Sequence, residues 1–317
     1  MTTVRQAPIK PFRFGVQVST APDARSWVSL ARKVEDLGFS ALTMPDHFTD
    51  QLAPMPALMA AAQATTKLRV GALVWDNDYK HPIVFAKEIA TLDVLSEGRV
   101  ELGIGAGWMK TDYDQSGIAY DTPGVRIDRM IEGIEVIRGA LGDGPFSFSG
   151  KHYQIANYEG LPKPIQRPCP PILIGAGGPR MLRYAARKAD IVGINPILTA
   201  GAVGPEAIAS MAADVVDEKV RLVNEAAGSR LGDIEFNVRA YLVNVTEDPR
   251  RTIDGLSAGM GVTAELIENS PFALIGSPAS LIEDLLARRE RWGFSYVIVG
   301  GDDIDTFAPV VAQLTGK

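Results

Sequence analysis

The sequence is poor in the residues on which several kinds of active site depend. It has one cysteine, Cys169, among 317 residues, which excludes an internal disulfide. Its three histidines lie on different predicted elements. No histidine pair or carboxylate pair has the spacing of a metal site, so we expect no bound metal. No Gly-x-Ser-x-Gly sequence marks a serine nucleophile either.

Excess positive charge and long apolar runs are missing too. Acidic residues outnumber basic ones, 38 to 32, and no basic cluster stands out, so we expect no nucleic-acid partner. No run of about 18 apolar residues predicts a membrane span, and the first twelve residues lack the apolar region of a signal peptide. The hydrophobic fraction of 46% and the charged fraction of 22% are typical of a soluble globular protein. We therefore expect a cytoplasmic protein without membrane contact.

Patterns of strands and helices alternate along almost the whole chain. The predicted strands cover residues 12–18, 41–44, 68–74, 100–104, 172–174, 191–194, 234–243 and 296–299. Such alternation implies parallel strands joined by right-handed crossovers. Eight units favour a (β/α)8 TIM barrel with insertions, folded as a single domain over residues 1–317. The alternative, an open Rossmann-like sheet, lacks its Gly-x-Gly-x-x-Gly motif, because Ser19-Thr20-Ala21-Pro22 follows the first strand.

Helical patterns and insertions fill the segments between these strands. The longer predicted helices cover residues 82–98, 125–141, 206–227, 249–261, 278–292 and 304–314. Residues 146–155 are predicted to form a surface hairpin. Residues 75–79, 108–118, 195–205 and 262–275 are interpreted as variable loops that line the substrate pocket, and the last of them contains a predicted helical piece at 264–270.

Glycine is plentiful where two predicted barrel strands end. Gly105 and Gly107 follow the fourth strand, and residues 175–178 follow the fifth. The loops after barrel strands carry active sites, and glycines let backbone N–H groups approach a flat or anionic ligand. The second segment leads into a helix, whose first amides bind phosphate well, although a tight turn explains the same glycines. With no nucleophile nearby, this pattern favours a bound cofactor that supplies the reactivity.

Candidate side chains for chemistry lie in the loops after the second, third and fourth strands. After the second strand, His47 follows Asp46. A histidine there can hydrogen-bond a ring or deliver a proton near neutral pH, or it can merely fill the barrel mouth. Trp75 and Trp108 either border the substrate pocket or belong to ordinary packing.

Five segments form a specific series when they are taken in order. They are PDHF at residues 45–48, the long segment 77–108, GKHY at 150–153, PKPIQ at 162–166 and PPILIG at 170–175. The series resembles the bacterial luciferase-like superfamily of flavin- and deazaflavin-dependent oxidoreductases. The resemblance covers nearly the whole chain.

This resemblance implies a (β/α)8 barrel, a homodimer, and a cofactor ring across the barrel mouth. It implies a non-proline cis peptide at the end of the third strand, at Ala72-Leu73 or Leu73-Val74. Cofactor phosphate is expected on residues 175–178. The cofactor-binding residues that it implies are Asp46, Ala72, Leu73, Asn77, Gly105, Ala106, Gly107, Gly175, Ala176, Gly177 and Gly178.

Two cofactors are compatible with this superfamily, coenzyme F420 and FMN. The overall pattern resembles the F420-dependent branch, which implies hydride transfer between the deazaflavin and a small organic substrate. The alternatives are an FMN-dependent monooxygenase that uses reduced flavin and oxygen, and a non-catalytic flavin- or deazaflavin-binding protein. The substrate itself has no signature in the loops.

One departure from the family pattern bears on the chemistry. The sugar-phosphate dehydrogenases of the F420-dependent branch have a glutamate just after the fourth strand, where this chain has Gly105-Ala106-Gly107-Trp108. Sugar dehydrogenation is therefore not expected. His47 is then the best remaining acid/base candidate, with Asp46 contacting the cofactor or orienting the histidine.

Overall fold

A computed structural model describes residues 9–199 and 201–317. Its strands are β1 (Arg13–Gln17), β2 (Ala41–Met44), β3 (Arg69–Ala72), β4 (Trp75–Asp76), β5 (Val100–Gly105), β6 (Phe146–Ser149), β7 (Gln154–Tyr158), β8 (Ile172–Ala176), β9 (Ile191–Ile194), β10 (Glu235–Arg239), β11 (Leu242–Val245), β12 (Ala273–Gly276) and β13 (Phe294–Gly300). Its α-helices are α1 (Ala24–Asp36), α2 (Pro54–Ala64), α3 (Pro82–Leu95), α4 (Lys110–Ser116), α5 (Pro123–Leu141), α6 (Pro179–Lys188), α7 (Pro205–Ala209), α8 (Ala213–Ala227), α9 (Pro249–Met260), α10 (Ala264–Asn269), α11 (Pro278–Trp292) and α12 (Ile304–Leu314).

Eight parallel strands close into a barrel. Around the barrel the order is β1, β2, β3, β5, β8, β9, β10 and β13, and β13 pairs back with β1. The pairing between β3 and β5 closes the ring on the other side, and the short β4 extends the edge of β5. The predicted (β/α)8 TIM barrel is confirmed. All eight strands therefore present their carboxyl ends at one mouth, which is where such barrels place active sites.

Local sequence signals explain why the barrel helices begin and end where they do. The side chain of Asp23 accepts a hydrogen bond from the Ser26 N–H at 2.7 Å and caps α1. Ser277 caps α11 in the same way, and Gly293 ends that helix with φ of 79°. The buried face of α1 packs its apolar side chains against the barrel. Among the described helices, none is long and apolar enough to cross a membrane.

The amino-terminal end of the barrel is closed by buried charges. Glu101 pairs with Arg13 at 2.5 Å and with Arg69 at 2.8 Å, and Arg13 also pairs with Glu235 at 2.6 Å. Although burial opposes ionisation, the two arginines hold the pKa of Glu101 below its ordinary value. This end of the barrel is thus tightly packed and paired, so it is a structural element, and the open cavity lies at the opposite mouth.

Two predicted elements were wrong because each is divided in the structure. The strand expected at 234–243 is β10 in the barrel followed by β11, which pairs with β12 in a separate small sheet. The chain leaves the barrel at Ala240, and the next amide, that of Tyr241, donates to the Phe272 carbonyl. The helix expected at 206–227 is α7 and α8, interrupted where the Ser210 hydroxyl donates to the Ala207 carbonyl at 2.7 Å.

Two elements lie in segments that were interpreted as loops. Helix α4 lies within 108–118, and β12 begins within the region 262–275 and ends at Gly276. The helical piece expected at 264–270 is confirmed as α10. Helix α4 has only seven residues, KTDYDQS, with too few apolar side chains to show a helical period. The surface hairpin is confirmed as β6 paired antiparallel with β7. The missed helix α4 carries a residue that is central to the site described next.

Candidate functional site

A cavity of about 370 Å³ opens at the carboxyl ends of the barrel strands. Its volume is within the range of small-molecule and cofactor sites, roughly 300–1,000 Å³. Most of the predicted site residues line it, namely Asp46, His47, Leu73, Trp75, Gly105, Ala106, Gly107, Trp108, Gly175, Gly177 and Gly178. Residues separated by more than 130 positions in sequence are thus brought to one cavity.

Three of the predicted cofactor-binding residues lie outside the wall of this cavity. Ala72 and Ala176 are buried in the barrel core. The side chain of Asn77 faces away toward α5 and the hairpin, where its Nδ2 donates to the Tyr153 hydroxyl at 3.4 Å. An added Cβ at Gly133 of α5 would collide with Asn77. The structure therefore gives Asn77 a packing partner at the position where a cofactor contact was expected.

The floor of the cavity contains a cis peptide bond between Leu73 and Val74, as the resemblance implied. The carbonyl of Leu73 accepts a hydrogen bond from the Gln17 side-chain amide at 2.9 Å. The carbonyl oxygen of that Gln17 amide in turn accepts from Arg239 Nε at 2.9 Å. A chain of side-chain hydrogen bonds therefore crosses the barrel mouth from β10 through β1 to the end of β3.

Val74 explains part of the glycine pattern at the strand ends. An added Cβ at Gly105 would lie 2.7 Å from Val74 Cγ2, and one at Gly175 would lie 2.8 Å from the side-chain Nδ2 of Asn195. An added Cβ at Gly107, where φ is 74°, would collide with Asp76 and with the hydroxyl of Tyr113. Glycine at these positions thus makes room for neighbouring side chains as well as for a ligand. The sequence pattern alone does not distinguish between these two reasons for glycine.

His47 is held by a buried carboxylate. Its Nδ1 lies 2.6 Å from Oδ2 of Asp112, a residue of α4 that is 2% exposed. The same carboxylate accepts the Tyr79 hydroxyl at 2.9 Å and the Phe48 N–H at 3.2 Å. A carboxylate with these two donors accepts a third hydrogen bond from Nδ1–H, so Nε2 is the nitrogen left for chemistry. The ring edge also packs against Trp108, with centroids 5.5 Å apart.

Two further carboxyl groups, Asp46 and Asp76, line the cavity. Asp46 accepts the backbone N–H of Asp76 at 3.2 Å, and it makes no direct hydrogen bond to His47, whose carboxylate partner is Asp112. Burial raises the pKa of Asp46. Burial, together with nearby Asp78, raises the pKa of Asp76 to about 7. Both groups therefore favour the neutral form more than an exposed aspartate does.

The loop after β8 forms the other side of the cavity. An added Cβ at Gly177 would collide with the Pro196 carbonyl, whereas Gly178 has open space around the same position. Beside this loop lies Arg126, which is 2% exposed and lines the cavity. Its Nε has no hydrogen-bond partner in the described part of the chain. Its Nη1 donates to the carbonyl of Asp121, which is neutral. A buried guanidinium with a free Nε, in the same cavity as the first residues of α6, suits an anionic ligand group.

Several residues in or next to the cavity were not proposed as site residues from the sequence. Asp112 lies on the missed helix α4, so nothing connected it with His47. Asp76 directly follows Trp75 at a strand end, and that position was a usable signal. Arg126 and Arg239 have no motif around them. Within residues 9–199 and 201–317, no group of three or more His, Cys, Asp or Glu side chains is arranged to hold a metal ion.

The fold and this cavity define a TIM barrel with a cofactor-sized site at its mouth. Residues 9–243 match the family model described as luciferase-like monooxygenase. The chain therefore belongs to the luciferase-like monooxygenase family, which is the superfamily that the five segments resemble.

Curated relatives in this family use two different cofactors. The chain is 30% identical to an F420-dependent glucose-6-phosphate dehydrogenase of Amycolatopsis mediterranei, over 52% of this chain and 52% of that protein. It is 29% identical to an FMNH2-dependent dimethylsulfone monooxygenase of Pseudomonas putida, over 56% and 51% of the two chains. The chain spans about half the length of such curated relatives. Oxidoreductases with either cofactor are thus represented among its relatives.

Solved structures show the same fold. The coenzyme F420-dependent tetrahydromethanopterin reductase of Methanopyrus kandleri aligns with a TM-score of 0.75 at 21% identity, over 96% of this chain and 98% of that chain. At this level of identity the likeness concerns the barrel architecture.

Proposed function

We propose that this chain is an oxidoreductase that uses coenzyme F420 to transfer a hydride to or from a small organic substrate. The observation that carries the proposal is that His47, on the wall of the barrel-mouth cavity, is held by the buried carboxylate of Asp112. A hydride added to a carbonyl carbon leaves negative charge on the oxygen, and a positioned proton donor stabilises that charge. His47 can hold the proton at Nε2 while Asp112 fixes Nδ1 and the ring orientation.

The residues around the cavity fit a cofactor with a flat ring and an anionic tail. Leu73, Val74 and Gly105 would border the ring, and Gly178 with Arg126 would hold the phosphate. F420, when bound, would supply the hydride-carrying carbon, which no side chain of the cavity supplies. The role of His47 is then to transfer the proton only.

Support for F420 over FMN comes from the likeness to the F420-dependent dehydrogenase and from the proton donor. The second candidate is an FMN-dependent monooxygenase, which the likeness to the dimethylsulfone enzyme supports.

The two candidate functions differ in their use of oxygen. We expect reduced FMN plus the protein to consume no oxygen beyond the rate of free reduced FMN, in an oxygen-electrode measurement over a panel of candidate substrates. Substrate-dependent oxygen uptake would identify the monooxygenase instead.

Gly178→Ala tests the proposed phosphate position. The added methyl group meets no atom within 4 Å in the protein, so the variant is expected to fold normally. It would occupy space at the start of α6, so F420 affinity is expected to fall about tenfold in a fluorescence titration. Gly255→Ala is the matched control, because it adds a methyl group in open space on the distant helix α9. Equal F420 affinity in the two variants would remove Gly178 from the cofactor site.

We also propose that the chain forms a homodimer through α3. The outer face of this helix carries two exposed apolar side chains, Val84 (52% exposed) and Leu95 (51% exposed), beside the polar Lys87, Glu88 and Thr91. Large apolar side chains exposed on one face, with polar residues around them, are typical of a surface that a partner covers. Light scattering of the purified chain would measure the mass directly, and a monomeric mass would contradict this assembly.

A further inference from the structure

The cavity contains a partly buried cation that the proposed proton chemistry does not use. Arg239 is the last residue of β10 and lines the cavity. Its Nε donates to the Gln17 side-chain oxygen at 2.9 Å, and its guanidinium also donates to the carbonyl of Ala240. Both acceptors are neutral. No carboxylate in the described part of the chain forms an ion pair with Arg239.

A buried charge without a counter-ion is unfavourable unless something else compensates it. Burial lowers the pKa of Arg239, and attraction to Tyr241 and to Asp303 offsets this only in part. The carboxyl group of Asp303 lies near Arg239, on the other side of Gly300, but forms no ion pair with it. The carboxyl groups of Asp46 and Asp76 line the same cavity, but burial raises the pKa of both. Neither is therefore well suited to neutralise the guanidinium. The remaining donors of Arg239 are available to an anionic ligand.

The position of Arg239 separates it from the proposed phosphate site. The proposed phosphate position at Gly178 follows β8, and Arg126 of α5 lines the same cavity. Arg239 ends β10, and β9 lies between β8 and β10 in the barrel. The cavity thus has two separate cations, the buried Arg126 and the partly buried Arg239. One anionic group of the cofactor accounts for the first cation and leaves the second to another ligand.

We propose that Arg239 binds a carboxylate of the substrate, which makes small organic acids the substrate class of this enzyme. The inference rests on the proposed function, since it assigns a substrate to the same cavity. The planar guanidinium has paired donors that match the two oxygens of a carboxylate. Gln17 holds one edge of the group through Nε, and its position is fixed in turn by the Leu73 carbonyl. Arg239 is therefore held in place before the substrate binds.

The test is a calorimetric titration of the protein with benzoate and with its neutral counterpart benzamide, each with and without F420. We expect benzoate to bind the wild type about tenfold more tightly than benzamide does. Arg239→Met should abolish this preference, and Arg239→Lys should retain part of it because the charge remains. Arg250→Met, which removes an exposed cation of α9, is the control and should leave the preference unchanged. Absence of benzoate binding, or a preference that survives in Arg239→Met, would overturn the proposal.

Two further measurements separate this role from the alternatives. Arg239→Met removes a partly buried charge that has no ion-pair partner, so its thermal midpoint should not fall, and a fall of more than about 5 °C would show a structural role and overturn the proposal. Its F420 affinity should stay within about threefold of the wild type. A larger loss of F420 affinity, with benzoate binding intact, would assign Arg239 to the cofactor. An Arg239-dependent benzoate preference in a protein that fails to bind F420 would support the carboxylate site and remove the proposed cofactor.

Discussion

His47→Ala is expected to slow turnover by about 100-fold or more, while F420 affinity stays within about threefold of the wild type. The reason is that His47 is placed to handle a proton and not to hold the cofactor. Its Nδ1 is engaged by Asp112 at 2.6 Å, which leaves Nε2 for the reacting group. The measurement is the anaerobic rate of cofactor oxidation or reduction by substrate, beside a fluorescence titration of the cofactor. His81→Ala is the control, because His81 is exposed and lies outside the cavity.

The partner of His47 gives a second variant for the same prediction. Asp112→Asn keeps the shape of the side chain and removes its charge, so the ring loses its fixed tautomer. We expect a smaller loss of turnover than in His47→Ala. In the double variant the losses should not add, because both changes disable one proton-handling unit. Turnover that is unchanged in His47→Ala, or fully additive losses, would remove this pair from the mechanism.

Asp76→Asn is expected to stabilise the protein increasingly as pH rises. The pKa of Asp76 is about 7 in the folded chain, against an ordinary value of 3.8. A raised pKa means that the folded wild type binds the Asp76 proton more tightly than the unfolded chain does. The stabilisation of the wild type by this proton is therefore full below about pH 4 and is lost as pH rises through about 7. Asparagine does not titrate. The gain in unfolding free energy of the variant over wild type should therefore grow by about 3 kcal/mol between roughly pH 5 and pH 8.

Urea unfolding at a series of pH values measures this gain directly. Asp143→Asn is the control, since that side chain is 92% exposed and remote from the cavity, and its difference from wild type should not grow with pH. A gain in Asp76→Asn that shrinks as pH rises would mean that Asp76 is stabilised as a carboxylate. In that case a neutral carboxyl group at the cavity wall would be excluded.

The sequence patterns predict the barrel better than they predict the site. The bounds of β2, α11 and α12 agree with the predicted ranges, because buried runs and capping residues mark them. Helix α4 was missed because a short polar helix has no apolar period. Its position depends on tertiary contacts such as those of Asp112 with the Tyr79 hydroxyl and the Phe48 amide.

The site was only partly predictable for the same reason. His47 was identified from its place after a strand, but its partner is 65 residues away in sequence. The unpaired charge of Arg239 becomes visible only when β1 and β10 are brought together and its hydrogen-bond acceptors prove to be neutral. The glycines were interpreted as ligand contacts, but Gly105 also makes room for Val74 and Gly175 for Asn195. Strand-end position thus indicates where a site lies, whereas contacts across the barrel decide which residues act together.

The central claim is that this cavity binds a deazaflavin in preference to a flavin. Parallel fluorescence titrations of the purified chain with F420 and with FMN, under the same buffer conditions, test it most directly. F420 is expected to bind at least about tenfold more tightly than FMN, which corresponds to about 1.4 kcal/mol. Tighter binding of FMN would contradict the proposed cofactor and would leave the FMN-dependent monooxygenase as the supported function.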